Sequence, residues 1–112
     1  MDERLFGMES EFFKALAHPT RVRILKLLRE NERCVCEFTE DLGVEQSNMS
    51  QHLAILRKQG IVSFRKDGLK VIYKVNFPQI FEILDLVEEI IVSQVNETLD
   101  LLNKRTKRRG GE

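Results

Sequence analysis

The most reactive side chains in this 112-residue chain are those of Cys34 and Cys36, which stand one residue apart and are its only cysteines. No apolar run approaches the ~20 residues of a membrane span, and the first ten residues lack a basic start followed by an apolar stretch, so the expected location is cytoplasmic. Because stabilising disulfides are rare in that reducing compartment, the pair is expected to be thiols. Thiols near a helix N-terminus and beside Arg33 ionise more readily, and thiolates suit soft ions.

These cysteines open a stretch, residues 34–60, whose pattern predicts two short helices around a tight turn. Apolar residues recur at i, i+3 and i+7 in its first half and at i, i+4 and i+7 in its second, and Gly43 between them tolerates the left-handed backbone that ends helices. The outward face of the second helix carries short polar side chains, which reach base edges and phosphates without a carboxylate to repel them. They are Ser47, Asn48, Ser50 and Gln51. A solvated helix with Ser47 as its N-cap is the alternative.

After this stretch the apolar residues alternate, which predicts a β-hairpin over residues 62–75 with its turn at Asp67-Gly68. Residues 46–75 hold six basic residues and one acidic residue, whereas residues 76–103 hold six acidic residues and no basic one. Since the charges are segregated, a net charge of zero does not argue against a polyanion partner. Next to the polar helix, the basic hairpin favours contact with nucleic acid; a solvated charged ribbon is the alternative.

Two helices are predicted before this region, over residues 8–17 and 19–30. His18 and Pro19 break the chain between them, which suits a cap at a bend followed by proline in the first turn of a helix. His18 is therefore expected to cap a helix rather than bind a ligand.

The last predicted helix runs from Phe77 to about Lys104 and is apolar on more than one side. A domain of this size cannot bury such a helix alone, so a homodimer is inferred. The predicted dimer contacts are Leu5, Phe6, Phe12, Leu84, Ile91, Val95 and Leu99. One domain is expected over residues 1–103, followed by a basic, disordered tail over residues 104–112.

Three segments, FFKALAHPTRVRILKLL, CVCEFTEDLGVEQSNMSQHLAILRKQGIV and FRKDGLKVIYKV, together resemble the ArsR/SmtB family of small repressors that release DNA when they bind a metal or metalloid. The resemblance implies a mainly α fold with a small β-hairpin, a homodimeric winged helix-turn-helix with the element order α-α-α-α-β-β-α. It makes residues 36–42 the supporting helix, 47–58 the recognition helix and 62–75 the wing. The implied partner is double-stranded DNA with a pseudo-palindromic operator. The residues expected to contact it are Gln46, Ser47, Asn48, Ser50, Gln51, His52, Arg57, Arg65, Lys66, Lys70 and Tyr73.

Within this resemblance, Cys34-Val35-Cys36 matches the motif with which some members sense arsenite, antimonite or soft divalent metals. No cofactor is obligatory, and the metal ligands would be Cys34 and Cys36; Thr39 stands where a third cysteine often occurs. Residues i and i+2 of a regular helix point about 200° apart, so both sulfurs can bind one ion only if the helix start unwinds. Such unwinding would disturb the recognition helix and lower DNA affinity. A sensor of oxidants or persulfides through the same pair, and a pair without any effector, are left open.

A second metal site of the family lies between the closing helices and needs Asp and His pairs. Asp85 is present, but Val87 stands where a histidine would be expected, so no zinc site is expected there. For His52, contact with DNA and a plain surface position are both open.

Two other function classes fit parts of the sequence. A winged helix that binds proteins would share the same core but would not need the polar helix face or the basic wing tip. An enzyme is not expected, because thiol oxidoreductases space their two cysteines by two residues at a strand-to-helix junction, and neither feature is present.

Overall fold

The computed structural model describes residues 2–109, with side-chain surroundings for residues 2–106. The elements are α1 (Glu3–Leu16), α2 (Pro19–Glu30), β1 (Arg33–Cys34), α3 (Val35–Leu42), α4 (Gln46–Lys58), β2 (Val62–Asp67), β3 (Lys70–Val75) and α5 (Gln79–Arg109). This order confirms the predicted mainly helical winged helix-turn-helix, with one short strand added before α3.

The core of residues 2–81 forms where α2, α3 and α4 meet the sheet. Each helix contributes the apolar residues that its sequence places on one face, as expected for amphipathic helices. The side chains that are completely buried include Ile24, Leu25, Phe38, Met49, Leu53, Leu56 and Ile61. The inward face of α4 is therefore fixed, and its opposite face is left to solvent.

The sheet has three antiparallel strands in the order β1-β3-β2. The predicted hairpin is present: Phe64 pairs with Tyr73, and Gly68 takes the left-handed backbone (φ 64°) that its tight turn requires. The added strand β1 pairs Arg33 with Tyr73 and Cys34 with Ile72. A strand of two residues is too short to show a period, so the sequence pattern did not reveal it. Through β1, the first cysteine belongs to the same sheet as the wing.

Local caps set the helix starts. The Asp2 carboxylate accepts a hydrogen bond from the Arg4 N–H (2.9 Å), so α1 begins at Glu3 instead of residue 8. His18 is the N-cap of α2, and its Nδ1 accepts a hydrogen bond from the Thr20 N–H (3.0 Å). The predicted capping role of His18 is confirmed.

The last helix, α5, begins inside the first unit, where Ile80 is buried and the Arg29 guanidinium lies 5.4 Å from the centre of the Phe81 ring. Residues 82–109 form a second unit, which is the remainder of α5. Many large apolar side chains of this unit are exposed: Leu86, Val87, Ile90, Ile91, Val92, Val95, Leu99, Leu101 and Leu102. None of the described helices meets the length and apolarity needed to cross a membrane.

Two expectations about this region change. The helix continues to Arg109, so residues 104–109 of the predicted disordered tail are helical, and residues 110–112 lie outside the described part of the chain. Leu84, a predicted dimer contact, is 9% exposed in the single chain, since it lies one helical turn beyond the buried Ile80. The other predicted dimer contacts are exposed or half-buried, and the interface itself stays a prediction.

Candidate nucleic-acid interface and cysteine pair

The helix pair α3–α4 is joined by a turn that Gly43 makes possible. Gly43 adopts the left-handed conformation (φ 64°, ψ 29°), and its N–H donates to the Thr39 carbonyl (3.1 Å). Phe38 of α3 and Met49 of α4 are completely buried, and the two helices are in contact. Any shift of α3 is therefore transmitted to α4 through packed side chains.

The face of α4 opposite its buried residues is exposed and polar. All five uncharged residues predicted to contact DNA in its first two turns are exposed: Gln46, Ser47, Asn48, Ser50 and Gln51. The helix begins at Gln46 with Glu45 as N-cap, so the expected cap at Ser47 is wrong, while the alternative of a solvated helix face stays open. The Glu45 side chain makes no capping hydrogen bond, which leaves the backbone N–H groups of the first turn available to an anion.

The wing presents Lys66 and Lys70 on either side of its turn, and both are exposed. Arg65, predicted to contact DNA, is half exposed and holds both carboxylate oxygens of Glu32 (3.1 and 3.2 Å). Since an exposed ion pair of this kind contributes little, phosphate can compete for the guanidinium. Arg57, at the end of α4, lies 5.1 Å from the centre of the Phe64 ring and so links the recognition helix to the wing.

Two residues of the predicted interface are less exposed than the others. Tyr73 is 6% exposed, because it points to the core side of β3, where its ring packs 5.6 Å from the Phe64 ring. His52 is half-buried: its Nδ1 is 3.1 Å from Nη1 of Arg21, and its ring is 4.3 Å from that of His18. Both side chains have partners within the protein, and their contact with DNA stays a prediction.

Removing the charge at the wing tip should weaken binding to all DNA sequences equally. With Lys66→Ala and Lys70→Ala, we expect the slope of log Kd against log salt concentration to fall by about one per lysine, because each releases counterions from one phosphate. Fluorescence anisotropy of labelled duplexes at several salt concentrations measures this slope. Lys14→Ala, an exposed lysine on α1, is the matched control and should leave the slope unchanged. An unchanged slope in the wing variants would show that the tip does not contact phosphate.

The two cysteines lie where β1 ends and α3 begins. Cys34 is the N-cap of α3, with an extended backbone (φ −82°, ψ 159°), and is buried; Cys36 is in the first turn and exposed. Their sulfurs are joined in a disulfide with the Cα atoms 5.4 Å apart. The expectation of free thiols is therefore not met in this structure. The expectation that the helix must unwind is also wrong, since Cys34 already stands outside the regular helix.

The expected influence of Arg33 on these sulfurs is limited by its other partners. Its Nη2 is 2.6 Å from Glu30 and its Nη1 is 3.1 Å from Asp41, with Glu37 at 3.6 Å. The Glu37 carboxylate also accepts the N–H of Cys34 (3.3 Å), which fixes the start of α3. The guanidinium is therefore shared among three carboxylates. This cluster was not predicted, because its members come from α2, β1 and α3.

Within the described part of the chain, the surroundings of the pair bear on whether it can hold a metal ion. Across residues 2–109, no group of three or more His, Cys, Asp or Glu side chains is placed to hold a metal ion. The residue where a third cysteine often stands, Thr39, donates its hydroxyl to the Cys36 carbonyl (2.9 Å). Soft ions that need three protein sulfurs do not fit this site, whereas chemistry that needs two sulfurs does.

A turn-linked helix pair with an exposed polar second helix, followed by a basic hairpin, defines a winged helix-turn-helix DNA-binding protein. Comparison with known proteins agrees. Residues 18–63 match the family model described as "Bacterial regulatory protein, arsR family". The HTH-type transcriptional regulator Rv0081 of Mycobacterium tuberculosis is 42% identical over 101 residues, which are 89% of each chain. This chain belongs to the ArsR family of bacterial transcriptional regulators.

Solved structures carry the same fold. The crystal structure of Rv0081 superposes with a TM-score of 0.80 at 41% identity, covering 88% of this chain and 99% of that one. The homodimeric winged helix-turn-helix domain Mb0332 of Mycobacterium bovis superposes with a TM-score of 0.76 at 25% identity, covering 87% and 93%. The arsenic resistance transcriptional regulator ArsR1 of Pseudomonas putida is 40% identical over 88 residues, 78% of this chain and 68% of ArsR1.

Proposed function

We propose that this chain is a homodimeric transcriptional repressor that leaves its operator when the Cys34–Cys36 pair reacts with an effector. The observation that carries the proposal is the position of Cys34, which is buried at the N-cap of α3 and bonded to the exposed Cys36. An effector can reach Cys36 from solvent, and the resulting change acts at the start of α3, the helix that packs on α4. A cytoplasmic location, as predicted from the sequence, belongs to this proposal.

The release mechanism follows from packing. The start of α3 is held by the hydrogen bond from the Cys34 N–H to Glu37, and Phe38 lies one turn further along in the core. A change at the two sulfurs, from free thiols to an adduct or to the disulfide of this structure, changes the backbone at Cys34 and shifts α3. Because the core is close-packed, α4 must follow, and its polar face then no longer fits the groove that the operator offers.

The first effector candidate is a thiophilic metalloid such as arsenite or antimonite. Arsenous acid condenses with two thiols, releases two waters and keeps one hydroxide on arsenic, so two protein sulfurs are sufficient. The short distance between the cysteines supports this candidate, as does the similarity to a regulator named for arsenic resistance. A soft divalent metal would use the same two thiolates.

The second candidate is an oxidant, and the disulfide in this structure favours it. A hydroperoxide takes two electrons and two protons from the two thiols and becomes an alcohol and water, while the sulfurs form the Cys34–Cys36 bond. This reaction needs no third ligand, which agrees with the lack of one among the described residues. A persulfide donor would transfer its outer sulfur to Cys36 and leave as a thiol; the Cys34 thiol would then attack the Cys36 sulfur, forming the same disulfide and releasing hydrogen sulfide.

The test is anisotropy of a labelled duplex carrying the protein's own upstream region, with reduced protein and then with arsenite or an alkyl hydroperoxide. We expect an effector to raise Kd by at least about tenfold, which is the usual size of a coupling of 1–3 kcal/mol. The Cys34→Ser, Cys36→Ser double variant should bind the duplex and ignore both reagents. Mass spectrometry identifies the product, either an arsenic adduct or a loss of two hydrogens.

A gain of function separates the candidates. With Thr39→Cys, a third sulfur joins the site one turn after Cys36, so the response to arsenite should shift to lower concentration if the metalloid is the effector. The hydroperoxide response should change little. If neither reagent releases wild-type protein from the duplex, the cysteine part of the proposal is wrong, while DNA binding itself is judged from the untreated protein.

A further inference from the structure

One arginine on α2 joins the recognition helix to the end of α1 by polar contacts. The Arg21 Nε donates to the Ala15 carbonyl (2.6 Å), its Nη2 donates to the Lys14 carbonyl (3.2 Å), and its Nη1 lies 3.1 Å from Nδ1 of His52. The three contacts use the three different nitrogen atoms of the guanidinium. They connect the end of α1, the start of α2 and the middle of α4.

The contacts on α1 are chemically favourable. Lys14 and Ala15 lie in the last turn of α1, where the helix carries partial negative charge; the Lys14 carbonyl also accepts the Ala17 N–H (3.2 Å). A half-buried guanidinium supplies both the donors and the opposite charge. Because two hydrogen bonds hold Arg21 at this helix end, its Nη1 atom is directed toward His52.

The contacts on α4 require an unprotonated Nδ1 on His52. An arginine N–H can only donate, so Nδ1 must be the acceptor. The His18 ring, fixed by its own hydrogen bond to the Thr20 N–H, packs on the other side of His52 with ring centres 4.3 Å apart. His52 thus points inward, beside the buried Met49 and Leu53, and away from the exposed polar face of α4.

We propose that Arg21 is a positioning residue for DNA recognition: it clamps His52 of α4 to the end of α1 and so sets the angle at which the polar face of α4 meets the major groove. Arg21 does this without touching DNA. Its removal changes the orientation of α4 rather than the number of phosphate contacts. The inference rests on DNA binding by α4 and is independent of the effector at the cysteines.

The clamp depends on pH in a defined direction. The groups that face His52 are His18 from the α1–α2 junction and Arg21 from α2; burial, then His18, then Arg21 lower the pKa of His52 below 6.5. The unfolded chain therefore binds this proton more readily than the folded chain, and stability falls as pH drops below about 6.5. Protonation of His52 also removes the acceptor that Arg21 uses.

The test uses Arg21→Lys, His52→Gln and the double variant that carries both changes. The matched control is Arg23→Lys, which changes an exposed arginine on the same helix. Operator affinity should fall about tenfold with Arg21→Lys, because a lysine cannot reach three acceptors at once, while the salt slope of log Kd stays at the wild-type value. Urea unfolding of the free protein completes a double-mutant cycle, in which the two changes should be non-additive. His52→Gln should also flatten the loss of stability between about pH 5 and 6.5.

Two results would overturn the clamp. A salt slope reduced by about one per protomer in Arg21→Gln, a variant that unlike Arg21→Lys removes the positive charge, would show a direct phosphate contact instead. Additive effects in the cycle would show that the two side chains do not act on each other. The double-mutant cycle is measured on the free protein, and the salt slope is measured on the complex. If Arg21→Lys is too unstable for one of these measurements, His52→Gln is compared with the wild type instead.

Discussion

Replacing Asn48 and Gln51 together by alanine is expected to reduce operator affinity by about a hundredfold or more. Both side chains are exposed on the face of α4 that the core does not use. An amide side chain that pairs with a base edge contributes about 1–3 kcal/mol of discrimination, so losing two of them accounts for the effect. Since neither side chain is buried, the free energy of unfolding should stay within about 0.5 kcal/mol of the wild-type value.

The control uses the same residue types outside the predicted interface. Asn31 follows α2 and Gln59 is the C-cap of α4, so Asn31→Ala with Gln59→Ala removes the same chemistry from other places. Anisotropy is read on the operator duplex and on a scrambled duplex. The Asn48, Gln51 variant should lose the difference between the two duplexes, because phosphate attraction from the wing persists. Equal affinity for the operator before and after the substitution would show that α4 does not read bases, and would favour a winged helix that binds proteins.

The helices and the hairpin could be predicted because their signals are local. The buried residues Met49, Leu53 and Leu56 of α4 follow the predicted spacing, and Gly43 and Gly68 take the left-handed backbone that their turns need. The short strand β1 could not be predicted, since two residues show no period and its pairing partner is far along the chain. The starts of α2 to α5 lie within two residues of the prediction, which is the usual precision of such patterns, whereas α1 begins five residues early because Asp2 caps it.

The low exposure of Tyr73 and His52 within the predicted interface has physical reasons. Alternation already placed Tyr73 on the same side as its apolar neighbours in β3, and that position decides its burial more strongly than its aromatic type suggests contact with DNA. His52 is three residues after Met49, so the helical period places it at the edge of the buried face. The contact of Arg21 with His52 spans the whole supporting helix, and no local pattern indicates it.

The cysteine pair shows how one residue of helix boundary changes a chemical conclusion. With both cysteines inside a regular helix, their sulfurs diverge; with Cys34 at the N-cap, they meet. The resemblance to a family of metal-responsive repressors predicted the class of protein, which the comparisons confirm, but the donor set at this site had to be taken from the structure. Residues outside the motif decide which effector fits.

Placing charge on the exposed apolar face of α5 is expected to give a folded monomer that has lost operator binding. Ile91 and Val95 are each 52% exposed and lie one turn apart, on a helix whose other apolar side chains are also exposed. A patch of this size is typical of a surface that another chain covers. In a twofold dimer, Ile91→Glu with Val95→Glu would bury four unpaired carboxylates, which costs several kcal/mol per charge. Sedimentation velocity should show a monomer at concentrations where the wild type is a dimer.

Operator binding is then lost because the monomer carries only one recognition helix, and not because that helix is damaged. A dimer presents two copies of α4 to half-sites about 34 Å apart, and the link between them raises affinity by roughly 10²–10⁴ over one copy. The monomeric variant should therefore bind a half-site duplex as wild-type protein at the same dilution does, and gain nothing from the second half-site. Ser93→Glu adds a charge to the same helix on the side away from Ile91 and Val95 and should keep the dimer. A dimer that survives the double substitution would move the interface to α1, where Leu5 and Phe6 are the next exposed pair to change.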